Sequence, residues 1–199
     1  YSHPAALLSA CLVLALLLPG SMFSAHGQQS GGSDAASAGD KKPEFGSRGQ
    51  RDARAIKYGD WQKFCFKTPG SNMVCRTTIS GKWETGQSAV RIDLIEREGE
   101  NAARLQLFLP VGLYLQAGAK LTVDQGEAVQ IPYVWCLTNI CIAGDRANPT
   151  LIRQMETGQQ LKLEVTDTNL LSVSTTLPLG QFASVRKAAP SRTFSQEVD

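Results

Sequence analysis

Apolar and polar residues alternate with a period of two in several stretches of this chain, and that pattern leaves little room for anything but a sheet protein. Ala89-Val90-Arg91-Ile92-Asp93-Leu94-Ile95-Glu96 is the longest instance. Arg104-Leu105-Gln106-Leu107-Phe108-Leu109 repeats it until Pro110, and Leu161-Lys162-Leu163-Glu164-Val165 repeats it again before the turn residues Asp167-Thr168-Asn169 and the run Leu170 to Ser174. Weaker strands are expected over 60–66, 73–79, 120–123, 128–133 and 141–143. Turn signals at Pro69-Gly70, Ser80-Gly81, Glu98-Gly99 and Gln125-Gly126 separate them. Short strands this closely spaced predict an all-β fold, an antiparallel β-sandwich of broadly immunoglobulin-like architecture. One short helix is expected, capped by Asn148-Pro149-Thr150 and ended by Gly158, with Leu151, Ile152 and Met155 inward and Arg153 and Glu156 facing water.

The N-terminus is different. Leu7 to Leu18 is a run of 12 mostly aliphatic residues, shorter than the roughly 20 needed for a membrane-spanning helix. Gly20, Ser21, Ser24, Ala25 and Gly27 follow it, as at a signal-peptidase site. The expectation is a signal peptide over 1–27, whose true start lies upstream of Tyr1, with Cys11 as an ordinary member of the apolar run rather than a lipidation site. Residues 28–57 are rich in Gly, Ser, Ala, Gln, Lys and Arg and are expected to be a disordered linker. The sandwich is expected over 58–188 and a flexible tail over 189–199. Within 58–188, 13 Lys and Arg face 12 Asp and Glu, which leaves no electrostatic footprint for nucleic acid. Between Lys41 and Lys57, six basic residues outnumber two acidic ones, enough for a weak attraction to anionic membrane surfaces.

Export into an oxidising compartment would turn Cys65, Cys75, Cys136 and Cys141 into disulfide candidates. Four cysteines allow three connectivities. A hairpin turn at 68–72 favours Cys65 with Cys75, and a tight connection at 137–140 favours Cys136 with Cys141. Zinc is disfavoured by the spacing, and so is a Cys-x-x-Cys redox pair. The chain has two histidines, His3 and His26, both near the apolar run. The core therefore lacks the base of a Ser-His-Asp or Cys-His site. A carboxylate pair drawn from Asp93, Glu96, Asp124 and Glu127 would be the remaining route to hydrolysis. No Gly-rich phosphate loop is present, and no cofactor is expected. Trp61, Phe64, Tyr133 and Trp135 are expected in or against the core, while Trp83 and Tyr114 are candidates for a partner-binding surface.

Trp61-x3-Cys65, Cys75, Leu109-Pro110-Val111-Gly112-Leu113-x-Leu115-x-x-Gly118, Val123-Asp124, Cys136-x4-Cys141-x-Ala143 and Pro178-Leu179-x-x-Phe182 together resemble the invasion-associated locus B family. The resemblance runs over about 58–187 and departs from the family pattern at Ile140 and Gln181, where glycine is expected. It implies a periplasmic or outer-envelope β-sandwich of a Gram-negative bacterium, linked to host-cell invasion in some members, with no catalytic residues to carry over. The function expected is a non-enzymatic envelope module that binds an envelope or host protein. The alternative is a periplasmic small-ligand or glycan binder, or a carboxylate-based hydrolase.

Overall fold

The computed structural model describes residues 46–195. The expected signal peptide, Cys11 and most of the expected linker lie outside these residues. Thirteen strands form two sheets. In chain order they are β1 (Gly49–Arg51), β2 (Ile56–Tyr58), β3 (Gln62–Lys67), β4 (Val74–Trp83), β5 (Ser88–Arg97), β6 (Arg104–Leu109), β7 (Ala119–Val123), β8 (Val129–Ile131), β9 (Tyr133–Cys136), β10 (Cys141–Arg146), β11 (Gln160–Thr166), β12 (Leu171–Pro178) and β13 (Arg192–Ser195). A five-stranded sheet runs β1-β12-β11-β7-β8, and an eight-stranded sheet runs β13-β3-β4-β5-β6-β10-β9 with β2 also on β4. Helix α1 (Pro149–Thr157) precedes β11, and α2 (Phe182–Lys187) follows β12.

The alternating stretches supply the core. Ile92, Leu94, Leu105 and Leu107 from the larger sheet meet Leu121, Leu161, Leu163 and Leu177 from the smaller one. Each of these leucine and isoleucine side chains contributes about 1.5–3 kcal/mol by leaving water. Leu151, Ile152 and Met155 of α1 join the same core, and the Asn148 side chain accepts from the Thr150 amide at 2.8 Å as an N-cap. Trp61 is buried edge-on against Phe182 at 4.8 Å and donates its indole N–H to the Pro178 carbonyl at 2.7 Å.

Both local disulfides are present, with Cα–Cα separations of 4.0 Å each. Cys65 faces Cys75 across β3 and β4, and Cys136 faces Cys141 across β9 and β10. Neither Ile140 nor Gln181 has positive φ, so both positions accept a side chain. That of Gln181 bridges the Trp61 amide and the Asp60 carboxylate.

The structure corrects several expectations. The sheets are mixed, because β1 runs parallel to β12 and β13 parallel to β3. The expected linker gives up 49–51 and 56–57 to these sheets, and the expected tail gives up 192–195. Ser80-Gly81 is no turn but lies inside β4, where Gly81 leaves room for Ile56 and Tyr58 of β2. The strand expected at 128–133 breaks at Pro132, and its second half joins the other sheet as β9. Glu156 does not face open water: its Oε1 takes Arg186 at 2.9 Å and Lys187 at 3.3 Å.

Candidate functional site

Strand register places the outward side of the larger sheet. Leu107, Ile92 and Ala143 point into the core, so their neighbours Phe108, Arg91 and Ile142 point out. Phe108 pairs with Arg91 on one side and Ile142 on the other, and Ile142 pairs with Trp135. Trp135, Ile142, Phe108 and Arg91 thus form one row across β9, β10, β6 and β5. The Arg91 guanidinium lies over the Phe108 ring, 3.7 Å from its centroid, a cation–π contact.

Trp135 was expected against the core but is 64% exposed. A bulge between Ile142 and Ala143 displaces the alternation in β9, which turns Trp135 to the outer face. With Val134 at 59% and Leu137 at 50% exposed, it makes an apolar edge beside the Cys136–Cys141 bond. β9 ends its sheet, so among the described residues no strand pairs with its far side. At the opposite edge, Phe66 and Phe194 stack at 5.1 Å, with Arg76 near the Phe66 ring and Arg192 near the Phe194 ring.

Asp93 organises this face from beneath. It is 1% exposed, accepts from the Thr78 hydroxyl at 2.6 Å, and faces Arg91 at 3.3 Å and Arg76 at 3.7 Å. A buried carboxylate between two half-exposed arginines draws both toward it by charge, without a hydrogen bond to either. With Arg104, its register partner Arg146 and Arg192, cations outnumber the one sunken anion on the outer face.

The four carboxylates considered for hydrolysis do not converge. Asp93 holds the two arginines. Glu96 takes Arg186 at 2.6 Å. Asp124 accepts from the amides of Gln159 and Gln160. Glu127 lies exposed in the turn after β7. Two other carboxyls titrate away from their ordinary range, and both move down. For Glu156, burial pushes the value up, but hydrogen bonds from Lys187 and Arg186 and their charges outweigh it. For Asp167, the Leu171 amide dominates, opposed by burial and reinforced by the Asn169 amide and Arg51. Neither has the raised value of a general acid.

The two aromatic residues proposed from sequence lie elsewhere. Trp83 ends β4 half-buried on the wall of a cavity of about 290 Å³ between the sheets. Tyr114 is half-buried one residue beyond the lining residue Leu113, with its amide donating to the Thr166 carbonyl. The structure does not join them into one exposed patch. The row from Trp135 to Arg91 escaped sequence reasoning because its members come from four strands spread along the chain from Arg91 to Ile142 and meet only through register. Among the described residues, no cluster of His, Cys, Asp and Glu could hold a metal ion.

Residues 61–190 match the model of the invasion associated locus B (IalB) protein family, a span that contains both disulfides and the whole outer row. The chain belongs to the IalB family. The crystal structure of invasion associated protein b from Bartonella henselae shares the fold, with a TM-score of 0.57 and 19% identity over 65% of this chain and 90% of that one. No curated protein matches the chain. IalB membership supports an invasion-associated envelope protein. No helix among the described residues is long and apolar enough to cross a membrane.

Proposed function

We propose that this IalB-family chain is an exported, non-enzymatic module of the Gram-negative envelope, periplasmic or at the outer surface. It binds an envelope or host protein through the outer face of its larger sheet. The observation that carries this reading is the aligned outward row of Trp135, Ile142, Phe108 and Arg91, half-buried across the sheet and exposed at Trp135 on the free edge of β9. Large aromatics and arginine are the residues that dominate protein interfaces, and they act most strongly when a rigid scaffold presents them. Here the Cys136–Cys141 bond and the Asp93 anchor provide the rigidity. The arginines of this face select a partner surface that is apolar at its centre and acidic around it.

Export is supported by the apolar run at 7–18 and by two disulfides, which persist in oxidising compartments. The test is co-sedimentation of the purified chain with isolated envelopes. Trp135→Ala and Arg91→Glu should each weaken binding by about tenfold or more, while Trp83→Phe leaves it unchanged. Equal binding by all three variants would place the surface elsewhere.

A further inference from the structure

Strands β1 and β2 belong to different sheets, so residues 52–55 strap one sheet to the other across an open end of the sandwich. Beneath the strap lies the cavity of about 290 Å³. Its walls are aliphatic and come from both sheets: Val90 and Leu109 on one side, Leu163, Val165 and Val173 on the other. This volume is at the small end of ligand pockets, about 300–1,000 Å³, and suits one narrow apolar body rather than a diacyl lipid.

The charges at the mouth sit on and beside the strap. Arg51 and Arg54 line the cavity, with Arg48 and Lys57 flanking them against a single acid, Asp52. Asp167 also reaches the lining, but Arg51 holds it at 3.2 Å and two backbone amides donate to it. Arg54 is exposed and makes no ion pair with the described residues. The uncommitted charge at the mouth is therefore positive, and no other charged group lines the walls. The geometry points to a binding site for a small amphiphilic anion, one aliphatic tail between the sheets and one anionic head at Arg54. This site is separate from the outer sheet face, and the strap lies outside the stretch that matches the IalB family, which begins at residue 61.

The test is calorimetric titration of the full chain with dodecanoate below its micelle concentration. Saturable 1:1 binding is expected, weakened about three- to tenfold by Arg54→Glu, an exposed change that spares the core. Dodecanol, with the same tail and no charge, should bind more weakly than dodecanoate. Val173→Trp, which fills the cavity, should abolish binding in protein that keeps its melting transition, and Arg54→Glu carries the test if that variant does not fold. A dodecyl phosphate arm separates two sources of the same chemistry. Binding of both anions marks a site open to lysolipid-like heads, and binding of dodecanoate alone marks a fatty acid site. No saturable heat with either anion, or an affinity for dodecanoate that Arg54→Glu leaves unchanged, overturns the proposal.

Discussion

Asp93 shows how one residue can serve both the fold and its surface. Its carboxylate is buried, and it is tolerated there because Thr78, Arg91 and Arg76 surround it. Replacing it with Asn keeps the shape and removes the charge that draws both arginines. Asp93→Asn should cost about 1–3 kcal/mol in urea unfolding, and it should also weaken envelope binding by freeing Arg91 from Phe108. A variant as stable as wild type would show that the arginines hold themselves. Asp167 gives a pH prediction. Its folded carboxyl titrates below the ordinary aspartate value of about 3.9. A depressed value contributes stability that is fully present above the unfolded pKa and lost as pH falls through the folded one. The melting-temperature advantage of wild type over Asp167→Asn should therefore be present at neutral pH and shrink towards about pH 2. An advantage independent of pH would mean that the charge of Asp167 does not matter. From sequence, Asp93 was visible only as one of several outward-facing acids. A period-two pattern says which side of a strand a residue takes, but not what covers that side.

At the scale of elements, the long strands were legible and the short ones were not. β5, β6 and β11 carry their own apolar alternation, so their sequences specify them. β1, β2 and β13 are three or four residues long, too short to show a period even where, as in β2, Ile56 and Tyr58 pack against the core. Backbone pairing with longer neighbours holds them, and no local pattern announces that. Helix α2 is six residues long, too short to show a period. The disulfides were legible because hairpin geometry brings their partners together, whereas Trp135 was misplaced because a bulge resets the alternation. Gly81 joins two of these elements. A Cβ there would stand 2.5 Å from the Ile56 Cγ2 and 2.6 Å from the Tyr58 Cε1. Gly81→Ala should cost about 1–3 kcal/mol and lift β2 from β4, which frees the paired backbone around Lys57 for cleavage by trypsin. Cleavage at the wild-type rate would show that β2 is held by something other than its fit over Gly81.

For the whole molecule, the two outer sheet faces differ in chemistry: that of the smaller sheet carries Lys120, Thr122, Lys162 and Glu164. The smaller sheet and both helices pack toward the common core, while the outer side of the larger sheet carries a row of aromatic and cationic groups that opens to water at Trp135. Keeping Trp135 in water gives up burial energy that a core position would supply, and a partner would restore it. The most direct test puts a photo-crosslinking amino acid at position 135 in living cells, with the same group at exposed Gln159 as the control. A discrete envelope adduct is predicted from 135 that disappears when Arg91 becomes Glu, with no adduct from 159. The same adducts from both positions, or adducts at 135 indifferent to Arg91→Glu, would contradict the claim that this face is where the protein binds.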